Sequence, residues 1–439
     1  MVGRGVWATD KKEGWTMAVF ILGGGASCCT NAYGEDGRGL LPRCRSEKAK
    51  RDFRPPVMKR VFGVAMKNDL FDRSPWKPIL EKILGAPGVT LDGLAKRGAA
   101  LEDALSNVET VLSMLDELAE TVHVGPDQRP SHLGAAPDMG DVLEILRGDP
   151  ARGVELLAEI AAAGLGGIGL QEVLFARDAL LTSVELVYGP TEPYEGHGDA
   201  RECENYRAFV EKLRPGDTIV TFNYDFLLDR ILEERGGWGT NNDEALPVRF
   251  RIGDGEGKYL KLHGSVLWYV RYEGRDAHVR FLAKEGEGRP PGGVHFEPFT
   301  AWLDEVKHGW RGLRQERHPH DRSELGDVEP LIVAPTYRES WRPEVKKLWD
   351  MWEAELRSPD LDELYVIGYS FPPTDEHVEK AIRSREGGYS GVVVKIVTKG
   401  GNEEVAQLNE CVARKFKGAK QVRVECDKGF GQWVKSWWR

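Results

Sequence analysis

The sequence predicts an α/β protein: a Rossmann-like, doubly wound, mostly parallel sheet interrupted by a large helical insertion. Three observations predict this. Short β-rich runs recur at residues 18–22, 218–222, 259–262, 331–334, 364–368, 392–397 and 422–425. Several are continuously apolar, as strands covered on both faces should be. Helix-like stretches follow many of them, at 225–234, 344–356, 375–383 and 402–415, and strand, turn and helix in repetition make a parallel sheet. Between the first two runs lie almost 200 residues of a different, helical texture.

The first run, 18–22, leads into Gly23, Gly24 and Gly25. With Cys28 close behind, it has the outline of an export signal ending at a lipidated cysteine. Asp10 and Glu13 stand where such a signal carries positive charge. A buried strand entering a glycine turn is the expectation, with residues 1–16 as an N-terminal extension. Farther on, Leu101, Leu105, Val108, Leu112 and Leu115 share one helical stripe over 101–120. Residues 154–163 and 170–188 are helical in pattern too, and 164–169 is a glycine-rich break between them. Residues 75–212 are therefore assigned to a helical insertion. Residues 17–74 and 213–439 are assigned to the sheet-bearing domain. Gly and Pro crowd 285–298, which predicts an exposed loop within a second insertion over 285–326.

Composition narrows the function classes. A chain of 439 residues, 41% hydrophobic and 30% charged, predicts two or three structural units. Its longest nearly unbroken apolar stretch, 161–170, is half of what a membrane span needs, so no membrane is expected. A net charge of −10 makes sequence-independent binding to nucleic acid unfavourable, because phosphate neutralisation needs clustered Lys and Arg; direct sequence-specific binding is not expected either. The tail from Arg414 to Arg439 departs from this balance, with eight basic and two acidic residues and with Trp433, Trp437 and Trp438. It reads either as a terminal helix whose aromatics close the core or as a docking surface. Six cysteines, at 28, 29, 44, 203, 411 and 426, form no CxxC pair, so no zinc is expected and reduced, cytoplasmic thiols are.

Four strand ends carry polar residues that a bare core does not require. Gly23, Gly24, Gly25, Ala26 and Ser27 follow the first strand. Glycines there let a ligand's phosphates approach the backbone, although an ordinary tight turn explains them equally. The dinucleotide pattern G-x-G-x-x-G fails, since Cys28 fills its last position, and no Walker lysine is present. Thr221 to Asp225 ends the second strand. Asn223 and Asp225 fall on one side of the chain end, or serve as a turn residue and a helix N-cap. His263, between Leu262 and Gly264, is expected to be exposed at the sheet's edge, where an imidazole titrates near neutral pH. Gly368, Tyr369 and Ser370 suit close contact with a ribose or phosphate, and Thr374 or Asp375 suits the cap of the next helix. His318, His320 and Asp321 lack a third strong ligand and are not assigned a metal. His377 is assigned to the surface or to a supporting position.

Together the four motifs resemble the sirtuin-like family, in the branch found in bacterial anti-phage defence proteins. The family's Gly-Ala-Gly-Ala-Ser is similar to Gly23–Ser27, with Gly24 in place of alanine. Its Thr-x-Asn-Tyr-Asp is similar to Thr221–Asp225, its Leu-His-Gly-Ser to Leu262–Ser265, and its Gly-Tyr-Ser-Phe with a following Asp to Gly368–Asp375. Order and strand context agree across about 350 residues. The family's early Gly-x-Pro segment is displaced here to about residues 39–42.

The resemblance implies an NAD+ hydrolase, with NAD as substrate, acting in defence by NAD depletion. It implies Asn223 and His263, with Asp225, as catalytic residues. Gly23, Gly24, Gly25, Ala26 and Ser27 would cradle the pyrophosphate, with Gly368 and Ser370 near a ribose. Thr398, at the end of the next strand, is placed beside the adenine on topology alone. The family's four-cysteine zinc module has no counterpart, which weakens the alternative of a protein deacylase or ADP-ribosyltransferase. A non-catalytic nucleotide-binding subunit is a further alternative. Activity gated by a homo-oligomer or by a partner such as a HerA-family ATPase is implied as well.

Overall fold

A computed structural model of the chain describes residues 17–24, 26, 61–67, 71–74, 76–124, 139–188, 204–225, 227–234, 249–272, 294–296, 327–332, 343–369, 371, 376–398, 410, 412–425 and 429–437. The opening run folds as strand β1 (Met17–Leu22), which is almost wholly buried. Its neighbours are β2 (Thr218–Thr221) on one side and β8 (Leu361–Ile367) on the other, both parallel to it. The sheet has seven strands, ordered β10-β9-β8-β1-β2-β4-β3, with β3 at Arg249–Ile252, β4 at Gly255–Lys261, β9 at Val393–Val397 and β10 at Gln421–Glu425. Only β3, hairpinned to β4, is antiparallel. The six parallel strands, numbered as they follow in the chain, stand third, second, first, fourth, fifth, sixth across the sheet. This mixed α/β order is compatible with a Rossmann-like arrangement, and it reverses direction between β1 and β8.

Strand side chains alternate between faces, and helices cover both. Phe20 pairs in register with Ile219 and Tyr365. Its ring meets Tyr365 at 4.7 Å, Phe209 at 5.2 Å and Trp437 at 5.5 Å. Those contacts seat α9 (Glu204–Val210) and α13 (Gly429–Ser436) on that face. On the opposite face α11 (Pro343–Arg357) sets Glu355 against the Thr218 hydroxyl and the Lys258 ammonium. Trp433 and Trp437 are 2% and 6% exposed, so these aromatics of the basic tail close the core. Lys212 fastens the end of the tail by donating to the carbonyls of Val434 and Trp437.

Between β1 and β2 the described chain is helical: α1 (Val61–Lys67), α2 (Lys77–Gly85), α3 (Leu91–Lys96), α4 (Ala100–Ala104), α5 (Val108–Val124), α6 (Met139–Gly148), α7 (Pro150–Gly164) and α8 (Leu170–Tyr188) precede α9. Gly166 and Gly167 have positive φ in the break between α7 and α8, where the sequence places it. The leucine stripe at 101–120 predicts a single helix and instead forms two. Asn107 stops the first by capping the second: its side-chain oxygen accepts the Glu109 amide at 3.1 Å, a bond that competes with helix continuation. Leu105, Val108, Leu112 and Leu115 are all buried, so the stripe faces the interior.

Two further expectations are corrected. The run at 331–334 predicts a strand of the parallel sheet, but its described part, residues 331–332, ends β7 (Asp327–Ile332), which pairs antiparallel with β5 (Gly264–Tyr272) in a separate three-stranded sheet ordered β6-β5-β7. Pro330 lacks the amide that an interior strand would donate, and β7 is an edge strand. The loop expected at 285–298 contains β6 (Val294–Phe296), which pairs with β5. The N-terminal extension, the six cysteines, the segment at 39–42 and the His318–Asp321 cluster lie outside the described residues. Among the described residues no helix is long and apolar enough to cross a membrane, and no group of three or more His, Cys, Asp or Glu side chains is placed to hold a metal ion.

Candidate functional site

In an open parallel sheet, ligands bind outside the carboxyl ends of the strands where the order reverses. Here the order reverses between β1 and β8, so such a crevice would lie outside their ends, which Gly23 and Gly368 follow. The Gly23 amide donates to the Ile367 carbonyl at 2.9 Å, and the Gly368 amide to the Val397 carbonyl at 2.9 Å. A Cβ on Gly23 would stand 2.6 Å from the Gly368 oxygen and 2.7 Å from Tyr369 Cα. Glycine is therefore required at 23 by the closeness of the two strand ends. Gly368 has φ 62°, a left-handed conformation that glycine adopts without strain. From Gly24 the backbone turns helical, and the Ala26 amide returns to the Gly23 carbonyl at 2.9 Å. Ala26 is fully buried and Gly24 exposed. Thr398 follows the last residue of β9 at the same edge and is half-buried. Gly25, Ser27 and Ser370 lie outside the described residues.

The end of β2 is tied directly to this crevice. Asn223 donates from Nδ2 to the Gly23 carbonyl at 3.1 Å, across 200 positions of chain. Its own amide is held by the Thr221 hydroxyl at 3.1 Å. Phe222, which belongs to no expected role, links the remaining motifs. Its ring stacks on Tyr369 at 4.6 Å and meets the His263 ring edge-on at 4.9 Å. Asp225 accepts the Leu227 amide at 3.1 Å and so caps α10 (Leu227–Glu234), the structural role its position suggested. Tyr224 reaches the other way, to Glu109 of α5 at 3.3 Å.

His263 departs from expectation. It follows β4 as predicted, but it is 2% exposed. Leu262 and His263 form a two-residue turn, and Gly264, with φ 78°, redirects the chain into the second sheet. The imidazole is enclosed by Phe222, by Tyr224 at 6.2 Å and by Trp349 at 6.3 Å. Trp349 comes from α11, a helix that no sequence motif tied to this edge. The same indole meets the half-buried His377 at 6.1 Å, which gives His377 a supporting position.

Behind the turn lies a fully buried ion pair. Lys261 Nζ bonds both carboxylate oxygens of Asp229, at 3.0 and 2.9 Å, and the Asp225 carbonyl at 2.6 Å. Tyr259 donates its hydroxyl to Asp229 at 2.8 Å. Burial pushes the Asp229 carboxyl up from its ordinary range, against the opposing pull of Lys261. Burial, with the negative charge of Asp229 beside it, holds the Tyr259 phenol well above its usual value. The sequence assigns no role to Lys261, Asp229 or Tyr259. A lysine in a strand and an aspartate in a helix, 32 positions apart, carry no signal that they meet.

Thus Gly23, Asn223, His263, Gly368 and Thr398 all fall at one sheet edge; a hydrogen bond joins Asn223 to Gly23, and the Phe222 ring joins His263 to Tyr369, the neighbour of Gly368. No protein-family model matches the chain, and no curated protein matches it significantly.

Proposed function

We propose that the chain is an NAD+ glycohydrolase built on a Rossmann-like, doubly wound sheet, with residues 75–212 as a helical insertion. The observation that supports this reading is the meeting of four motifs, separated by up to 345 positions of chain, at the crossover between β1 and β8. A nucleotide laid across that crevice would run along residues 23–27, with its pyrophosphate toward the backbone and a ribose toward Gly368 and Ser370. Thr398 would border the adenine.

In the reaction the C–N glycosidic bond breaks, and nicotinamide leaves with the bonding electrons as a neutral ring. Water oxygen bonds to C1′ of the ribose through an oxocarbenium-like state, by analogy with glycoside hydrolysis. One proton is released overall. Asn223 orients the water or a ribose hydroxyl through its amide, and His263 accepts the proton. Asp225 holds the turn that presents Asn223. No general acid is needed for a leaving group that departs neutral. NAD depletion in anti-phage defence, in the cytoplasm, follows as the physiological role. Activity is then gated by self-assembly or by a partner such as a HerA-family ATPase.

The burial of His263 favours a second reading, a nucleotide-binding subunit without turnover. The deciding experiment mixes purified protein with NAD and follows free nicotinamide. Release without any acceptor supports hydrolysis. Release only with an acceptor indicates a transferase, and binding without release indicates the regulatory subunit.

A further inference from the structure

We propose that Lys261 is a positioning residue that fixes the β2–α10 turn and thereby aims Asn223 into the crevice. The kinetic consequence rests on the NAD-cleavage reading; the structural one does not. An ammonium with three donors is fully used here: two go to Asp229 and the third to a main-chain oxygen, that of Asp225. Both side chains of the pair are 0% exposed. A buried ion pair is an expensive way to gain stability, since an apolar pair of similar volume commonly does as well or better. What an apolar pair cannot do is hold the Asp225 carbonyl.

That carbonyl belongs to the turn that carries Asn223. Besides the bond from the Asn223 side chain to Gly23, the turn is tethered at three points. The Thr221 hydroxyl holds the Asn223 amide, Asp225 Oδ1 holds the Leu227 amide, and Lys261 holds the Asp225 oxygen. Lys261 also sits two positions before His263 at the end of β4, so one side chain ties the strand bearing the histidine to the turn bearing the asparagine. Asp229 and Tyr259 orient the lysine from α10 and β4.

The test compares loss of the tether with loss of a neighbouring bond that leaves the tether in place. Lys261→Met combined with Asp229→Leu removes both charges and keeps the length of the lysine and the branching of the aspartate, at the cost of leaving the Tyr259 hydroxyl without its acceptor. Hydrogen exchange at the Asn223 and Leu227 amides should then quicken at least tenfold, with β1 amides unchanged. Nicotinamide release should lose about 10- to 100-fold in kcat with KM nearly constant, as expected when a reacting group is misplaced by about an ångström. Tyr259→Phe, which keeps the ion pair and the bond from Lys261 to the carbonyl, should leave the exchange of those two amides within about threefold of wild type.

Unchanged exchange in the double variant would overturn the proposal, as would equal loosening in Tyr259→Phe. Should the double variant not fold, the wild-type protein still decides. Protection of the Asn223 and Leu227 amides as strong as that of β2 supports the tether, and protection as weak as in the β3–β4 turn overturns it. If wild type releases no nicotinamide, the hydrolase reading falls while the exchange result stands on its own.

Discussion

Gly23→Ala tests fold and site together. The added methyl would stand 2.6 Å from the Gly368 oxygen, 2.7 Å from Tyr369 Cα and 2.8 Å from Tyr369 Cβ, whereas ordinary contact begins near 3.4 Å. The gap must open by about 0.8 Å. Two of the three obstructing atoms are main chain, so no rotamer change relieves the clash. Moving Gly368 also strains its bond to Val397 and the bond from Gly23 to Ile367. Overpacking of this kind costs about 1–3 kcal/mol, equivalent to a shift of roughly 5- to 150-fold in the folding equilibrium. Gly63→Ala is the matched control. Its methyl would meet the Ala95 oxygen at 3.5 Å, an ordinary contact, inside helix α1. Alanine there should stabilise by about 0.5–1 kcal/mol. Urea unfolding measures both, as a change in midpoint at constant slope. A Gly23→Ala midpoint equal to or above wild type would refute the claim that the β1 and β8 ends abut through Gly23.

Three more outcomes are expected. Asn223→Ala and His263→Ala should each lower nicotinamide release by about 10²–10⁴-fold; Asn223→Ala should cost only about 1 kcal/mol of stability, but His263→Ala empties a space among Phe222, Tyr224 and Trp349 and should cost about 2–4 kcal/mol, and half of wild-type turnover in either folded variant would dismiss that residue's role. At alkaline pH stability should fall, because burial raises Tyr259, Tyr365 and Tyr389 above the ordinary tyrosine value of 10.0. The folded state keeps these protons longer than the unfolded chain does, so the stability is whole below that value and declines above it by about 1.4 kcal/mol per pH unit per tyrosine; a urea midpoint that stays flat or rises from pH 10 to 11 would contradict it. Nicotinamide release should rise more steeply than protein concentration, in step with larger species on size exclusion, and charge reversal at the exposed Lys417 and Lys420 should block that shift if the tail is the interface. Lys415 is unsuitable for that purpose, since it is already bonded to Glu379 at 2.8 Å; full turnover by a dilute monomer would end the assembly hypothesis.

The sequence by itself determined the parallel strands and most helices of the sheet, because those signals are local. A continuous apolar run such as that of β1 has few folded states open to it except a strand covered on both faces. Turn glycines and caps likewise act within a few residues, so the four strand ends and the capping role of Asp225 were legible. Local signals failed where a competing local bond intervened, as at Asn107, and where an edge position tolerated Pro330.

Tertiary structure alone decided the neighbours. That Asn223 bonds to Gly23, that Phe222 joins Tyr369 to His263, and that Trp349 covers the imidazole depend on strand order and on which helix crosses which face. His263 looked exposed because a polar residue before glycine at a strand end usually meets water. It is buried because α11 delivers an indole from 86 positions away. The Lys261–Asp229 pair is the clearest case: in sequence each is one charge among 130, and only packing removes both from water and leaves each the other's partner.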